Sequence, residues 1–472
     1  MTQQGCDIGL IGLGTMGRNF VLNLADHGFA VAVYNRTAEK TKDFMDNEVG
    51  ARPIQAGYDL QEFIGLLRQP RALILLVAAG APVDAVLREL WPLLSPGDLV
   101  IDGGNSHFTD TNRRGRFLSG KQLNFMGLGV SGGEAGARYG PSLMPGGSRE
   151  GYDRVGPMLE AAAARVKGEP CVAYLGPRSA GHYVKMVHNG IEYGLMELIV
   201  ETYDLFKRGL GLTPAELASI YDRWNREELN SFLVGITAKI FTRQDDRTGK
   251  PLIDLILDKA KQKGTGMWTS WDAMDLQVGT PTIDAAVVMR DMSGYKEERL
   301  AASQVLAGPC QTFKGDRQRC IGQVKNALYA GMIATYAQGL ALLQKASATY
   351  DYGLDLEAVA RIWRGGCIIR AALLEDIRSA YKTKAELPNL LMDPHLGKEF
   401  LSREADLREV VQMAAALGLP APGLMATLSY FDAYRSAVLP GNLIQAQRDF
   451  FGAHTYERLD APGAFHTEWE EE

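Results

Sequence analysis

Short apolar runs alternate with amphipathic stretches up to about residue 175. The runs DIGLIG, AVAVYN, ALILLV, DLVID, NFMGL and VAYLG have the composition of buried strands, and stretches 16–27, 37–47 and 82–94 carry a helical period. Such alternation is the mark of βαβ units, and it predicts an α/β doubly wound parallel sheet over residues 1–178. After Gly181 the strand-like pattern stops. Helical patterns run to about residue 437, broken by TRQDDRTGKP and KGTGMWTS, and predict a large all-helical domain over 179–437. Residues 438–472 are irregular, yet they carry Phe450, Phe451, Tyr456, Phe465 and Trp469. That is too much aromatic surface to leave in water, so 438–469 is expected to dock on something, with only the closing EWEEE fraying.

The helical part contains an internal repeat. VKMVHNGIEYGLMELIVETYDLF at 184–206 lines up with VKNALYAGMIATYAQGLALLQKA at 324–346, and GLTPAELASIY at 211 with GLDLEAVARIW at 353. In the first copy Lys185, His188, Asn189 and Glu192 fall at i, i+3, i+4 and i+7, on one face of an otherwise apolar helix. Burying such groups costs free energy unless each is paired. In the second copy the positions of His188, Asn189 and Glu192 hold Leu328, Tyr329 and Met332. Packing therefore does not require the polar stripe. A lone lysine on a helix is ordinarily solvated, and a lone histidine is ordinarily a bonded core residue. Four such groups on one stripe, three of them dropped in the second copy, read instead as a site.

Gly12-x-Gly14-x-x-Gly17 follows the first strand directly and opens a helix. In that setting the glycines let the backbone approach a pyrophosphate lying at the positive end of the helix. The second strand ends in Tyr34-Asn35-Arg36-Thr37, with no acid to accept from a ribose 2′-hydroxyl and with a guanidinium suited to a 2′-phosphate, so NADP is expected over NAD. DGGN places Gly103, Gly104 and Asn105 outside the carboxyl end of a strand, where ligands of such sheets bind. The amides around Ser131, Gly132 and Gly133 can form an anion-binding nest. The stretch that holds them, GLGVSGGEAGARYGPSLMPGG, is too glycine-rich to read as packing material. It also matches the G-x-S-x-G nucleophile elbow, but Gly136, Gly140 and Pro141 interrupt any long helix after the serine, which argues against a hydrolase.

Composition narrows the picture. The chain has 472 residues, 46% of them hydrophobic and 22% charged, which is ordinary for two or three globular domains. A net charge of −6 gives no footprint for nucleic acid, so an anionic ligand needs a local basic cluster. The five scattered cysteines (Cys6, Cys171, Cys310, Cys320, Cys367) lack CxxC spacing and suit a reducing compartment, and no metal site is expected. MTQQGCDIGL does not have the form of a signal peptide, and ALILLVAAGA is too short for a membrane span, so a cytoplasmic location is expected.

In chain order, GLGTMGRN, YNRT, DGGN, VSGGEAGA, GPSLMPGG, GHYVKMVHNGIEYG, KGTGMW, GCIIRA, NLIQAQRDFFGAHTY and FHTEW resemble the decarboxylating 6-phosphogluconate dehydrogenase family of the pentose phosphate pathway. The resemblance runs from residue 8 into the tail. It implies a homodimer in which each tail penetrates the partner subunit. It implies Lys185 as general base and Glu192 as general acid, with Asn105, Ser131, Gly132, Gly133, His188 and Asn189 on the sugar acid. Tyr193, Lys263, Thr265 and Arg290 are implied around the substrate phosphate, joined by Arg448 and His454 from the other subunit. For NADP the expected contacts are Gly12, Gly14, Thr15, Met16, Gly17, Asn35, Arg36, Thr37, Val77, Ala78, Ala79 and Asn105. The chain departs from the family at Gly14, where alanine is usual, and at Ala78, where lysine is usual.

The stripe suits this chemistry. Oxidising a 3-hydroxy acid needs a base at the hydroxyl, and lysine serves only when desolvation or a nearby cation depresses its pKa. The 3-keto acid then loses CO2 once its carbonyl is protonated. The enediol needs a proton at C1 from a second group, which Glu192 can supply if its pKa is raised. A non-decarboxylating 3-hydroxy acid dehydrogenase would leave Arg448 and His454 nothing to bind, and a silent NADP-binding sensor would be free to lose the Lys185/Glu192 pair.

Overall fold

The structure, a computed structural model, describes residues 5–309 and 313–469; Cys310 and residues 470–472 lie outside them. The described residues fall into two compact units that divide the chain between Thr427 and Leu428.

In the first unit seven strands make one sheet: β1 (Ile8–Ile11), β2 (Val31–Tyr34), β3 (Ile54–Ala56), β4 (Ala72–Leu75), β5 (Leu99–Asp102), β6 (Asn124–Ser131) and β7 (Ser142–Gly147), in the order β3-β2-β1-β4-β5-β6-β7. All neighbours are parallel except β6 and β7. Strand residues feed cores on both faces. Ala72 and Ile74 of β4 enter one, Leu73 and Leu75 the other, which is why its sequence reads as one apolar run. Strand order reverses between β1 and β4, and helix α1 (Thr15–Asp26) starts at that crevice.

Two expectations change. VAYLG is not a strand of the sheet, since Val172 makes only a single bridge to Leu143. The edge strand is SLMPGG, whose proline and glycines disguise it; an edge tolerates proline because one side of its ladder is not needed for sheet pairing. The sheet is therefore parallel with one antiparallel edge.

Beyond the sheet come α2 (Ala180–Asp204), α3 (Thr265–Asp275), α4 (Pro281–Gly294) and the 33-residue α5 (Arg317–Thr349). The repeat is visible as helix pairs: α2 is followed by Pro214–Trp224, capped by Thr213, and α5 by Leu356–Trp363, capped by Asp355.

Helix α2 lies directly on β6 and β7, and glycines make this possible. A Cβ on Gly129 would sit 2.6 Å from Lys185 Cβ, one on Gly146 2.2 Å from the Gly181 nitrogen, and one on Gly181 2.2 Å from the Met144 oxygen. The glycine-rich stretch is packing material after all. Its missing side chains let a helix approach a sheet at backbone distance.

The second unit contains α6 (Gly441–Gly452) and a two-stranded ribbon pairing Tyr456–Glu457 with Ala464–Phe465. The expected fraying does not extend to Trp469, whose Nε1 donates to Asp449 Oδ2 at 2.9 Å.

Candidate active site

The close approach of α2 to β6 brings its polar stripe against Ser131. Lys185, only 5% exposed, donates from Nζ to Asn189 Oδ1 at 2.6 Å and lies 3.2 Å from His188 Nδ1. The other ring nitrogen of His188 is 3.3 Å from Ser131 Oγ, and Trp363 presses edge-on against the imidazole at 5.6 Å between centroids. Asn189 Nδ2 donates to Thr265 Oγ1 at 3.0 Å, so the KGTG loop is tied to the stripe. Glu192 Oε2 is 3.8 Å from His188 Nδ1, and its side chain keeps 22% of its surface exposed. The four residues form one connected cluster.

Burial sets its electrostatics. Desolvation lowers the Lys185 pKa from 10.5, against the opposing pull of Glu192 and Cys367. Desolvation, assisted by Lys185, takes His188 well below 6.5 and keeps the imidazole neutral. Desolvation raises Glu192 above 4.5, although Lys185 and Arg290 work the other way. The cluster therefore holds an amine with a weakened grip on its proton beside a carboxyl with a strengthened one.

Around it stand groups able to hold an anion. Asn105, in the left-handed region at φ 53°, uses its amide like a strand neighbour: Nδ2 donates to Val130 O at 3.2 Å and Oδ1 accepts from Val130 N at 3.0 Å. Gly132 (φ 114°) and Gly133 (φ 62°) turn the chain into a short helix, Gly133–Tyr139, which no side chain caps, so its first amides remain available to an anion. A Cβ on Gly132 would meet Gly366 O at 2.5 Å; the GCIIRA loop buttresses the nest from behind. The nucleophile-elbow reading fails on the same geometry, because the helix after Ser131 has only 7 residues and the Ser131–His188 pair leads to Lys185 and Asn189 rather than to an orienting carboxylate at hydrogen-bond distance.

Along α2, Tyr193 carries the Arg290 guanidinium stacked 3.4 Å from its ring centroid, and Gly266 lies so close that a Cβ would be 2.3 Å from that ring. Tyr193, Arg290 and Thr265 are thus one surface, with exposed Lys263 two residues before Thr265. Arg448 and His454 belong to the second unit, where both are exposed.

At the crevice, a Cβ on Gly12 would lie 2.4 Å from Leu76 O and one on Gly17 1.8 Å from Gly12 O. Both glycines are demanded by the turn. The α1 N-terminus has no side-chain cap and no acid in its first turn, an arrangement open to a pyrophosphate. Thr15 is exposed there, while Met16 packs partly on the core. Asn35 braces the loop, accepting from Leu13 N at 3.0 Å and donating to Thr37 O at 3.2 Å. Arg36 is exposed and makes no ion pair among the described residues. The loop after β4 offers half-buried Val77 and Ala79 and exposed Ala78. These features fit a dinucleotide with a 2′-phosphate. Gly14 differs from its neighbours: nothing lies within 4 Å of its would-be Cβ and its φ is −75°. Gly14→Ala is expected to change the NADP dissociation constant by less than about twofold, measured by cofactor fluorescence titration, whereas Gly12→Ala weakens it by about tenfold or more.

The family described as "NAD binding domain of 6-phosphogluconate dehydrogenase" matches residues 7–176, and "6-phosphogluconate dehydrogenase, C-terminal domain" matches 181–469. The chain belongs to the 6-phosphogluconate dehydrogenase family. It is 54% identical to the decarboxylating 6-phosphogluconate dehydrogenase of Synechococcus elongatus and 50% identical to the NADP(+)-dependent, decarboxylating enzyme of Bacillus subtilis, each match covering 98% of both chains. The solved 6-phosphogluconate dehydrogenase of Plasmodium falciparum, described in its apo form and in complexes with its cofactor NADP+ and its substrate 6-phosphogluconate, matches with a TM-score of 0.94 and 43% identity over 98% of this chain and 100% of that one.

Sequence reasoning missed the supports of the site. Asp102, fully buried at the end of β5, accepts from Gly104 N at 3.0 Å, Ser106 Oγ at 2.7 Å and Arg114 Nη1 at 3.1 Å, and so fixes the DGGN turn that carries Asn105. The available signal was an acid closing an apolar strand, a position where a charge persists only when paired. Asp449 in the tail was missed as well. Among the described residues no group of three or more His, Cys, Asp or Glu converges as a metal site, and no helix is long and apolar enough to cross a membrane.

Proposed function

We propose that this chain catalyses the oxidative decarboxylation of 6-phospho-D-gluconate to D-ribulose 5-phosphate and CO2 with reduction of NADP to NADPH. The observation that carries this reading is the connected Lys185–His188–Asn189–Glu192 cluster, buried beside the Ser131–Gly133 nest. The nest amides and Asn105 hold the carboxylate end, and Tyr193, Lys263, Thr265 and Arg290 the phosphate end. Neutral Lys185 takes the C3 hydroxyl proton. Gly12, Gly17, Asn35 and Arg36 would hold NADP, which would supply the acceptor for the C3 hydride. The resulting Lys185 ammonium then donates to the C3 carbonyl oxygen, which draws in the electron pair as the C1–C2 carboxylate bond breaks and CO2 leaves. Glu192 donates its proton to the terminal carbon of the enediol, and Lys185 recovers the enediol proton as the ketone forms. His188, kept neutral, and Asn189 hold the lysine and the sugar hydroxyls in register.

On this reading residues 1–178 bind the cofactor and residues 179–437 the substrate. The chain acts as a cytoplasmic homodimer, with the 438–472 tail of one subunit lending Arg448 and His454 to the other. The test is purified protein with 6-phosphogluconate and NADP or NAD, following reduced nicotinamide and released CO2 together. Reduction without CO2 contradicts the assignment. Arg36→Ala is expected to raise KM for NADP by about ten- to a hundredfold, the worth of a charged hydrogen bond, with KM for NAD nearly unchanged.

A further inference from the structure

The tail contains a small piece of machinery for which the chemistry gives no reason. Asp449 is fully buried although α6 is otherwise largely exposed. Its Oδ1 accepts from Thr455 N and His466 Nδ1, both at 2.9 Å, and its Oδ2 from Thr467 N at 3.1 Å and Trp469 Nε1 at 2.9 Å. One carboxylate thus gathers the end of α6, the turn after it and the returning strand. One helical turn earlier, Gln445 Nε2 donates to Thr455 O at 2.6 Å, while Gln445 Oε1 accepts from Arg448 Nη1 at 3.1 Å. Thr455 is therefore held at both its nitrogen and its oxygen. It needs holding, because Ala453 (φ 46°) and Thr455 (φ 58°) both lie in the left-handed region, which is costly for a residue with a Cβ and more so for a β-branched one. The residue between them is His454. Its ring folds back over Gly452, where a Cβ would be 2.8 Å from Nε2.

We infer that Asp449 and Gln445 are positioning residues for the substrate, a clamp that forces the strained turn to present His454 and steadies Arg448 beside it. The inference rests on the reading that Arg448 and His454 complete the substrate pocket. Without the clamp Thr455 relaxes to an ordinary backbone conformation and carries the imidazole away from the phosphate it serves. Neither Lys185 nor Glu192 depends on this turn, so the loss falls on substrate binding.

The experiment uses the full-length enzyme with 6-phosphogluconate and NADP in steady state. Arg448→Ala and His454→Ala test the underlying reading, and each is expected to raise KM for 6-phosphogluconate by about tenfold or more. Asp449→Asn, which keeps size but loses charge and one acceptor, and Gln445→Ala, which leaves the carboxylate hub intact, are expected to raise the same KM by about tenfold. Both should change kcat by less than about twofold and leave KM for NADP unchanged. Thr455→Gly in the Asp449→Asn background should recover part of the loss, since glycine adopts positive φ without a clamp. If Arg448→Ala and His454→Ala raise KM but Asp449→Asn and Gln445→Ala do not, the clamp is wrong and the pocket reading stands. If the first pair is silent, the pocket reading falls and takes the clamp with it. If Asp449→Asn depresses kcat and both KM values together, with no recovery from Thr455→Gly, its role is only structural and the inference is overturned.

Discussion

Lys185→Ala is expected to lower kcat by about 10³-fold, the range for removal of a positioned general base. The loss has two parts. Alanine offers nothing to take the hydroxyl proton before oxidation, and nothing to return it to the carbonyl oxygen before CO2 departs. Binding of NADP should survive within about twofold, because the glycine turn and Arg36 stand on β1 and β2 rather than on α2. Lys185→Arg is expected to fare no better than alanine. A guanidinium has a pKa above about 12 and does not become the neutral acceptor this step needs. Steady-state kinetics beside cofactor titration separates the two quantities. A Lys185→Ala enzyme with wild-type kcat would remove the base from the account.

Glu192→Gln is expected to cost about 10²-fold in kcat while leaving the first half of the reaction largely intact. Glutamine preserves the shape of the side chain but has no proton to give the carbon that lost CO2, which becomes C1 of ribulose 5-phosphate. In single turnover NADPH should still appear quickly, and incorporation of solvent deuterium at C1 of ribulose 5-phosphate should slow. The pH profile gives an independent readout. Lys185 acts when neutral and burial lowers its pKa from 10.5, so activity rises with pH through that lowered value. Glu192 acts when protonated and burial raises its pKa from 4.5, so activity falls as pH rises through that raised value. Glu192→Gln should abolish the falling limb and retain the rising one. A variant that keeps the falling limb assigns it to another group.

Much of this was legible in the amino-acid order because the relevant signals are local. The stripe on α2 needs only helical spacing, and its significance came from the second copy, where Leu328, Tyr329 and Met332 occupy equivalent positions. Gly12 and Gly17 could be read because strand, turn and helix are adjacent in sequence. What escaped depends on contacts between distant segments. Nothing near SLMPGG says it will pair antiparallel with β6, since that pairing is decided by the neighbour it meets. The glycines of β6 and β7 looked like loop residues because their partner, α2, begins more than thirty residues later, at Ala180. Asp102 and Asp449 carry ordinary charges in the sequence and become structural centres only once Arg114, or Thr455, His466 and Trp469, close around them. Arg290 is unremarkable by itself and acquires meaning from the Tyr193 ring beneath it.

The proposed chemistry needs a lysine that gives up its proton because water cannot reach it. The most direct measurement is the titration of Lys185 itself, by NMR of the enzyme with 13Cε-labelled lysine and the resonance assigned through Lys185→Met. The expected midpoint lies below the ordinary 10.5. A midpoint at or above that value, with the ammonium retained throughout the active pH range, would contradict it.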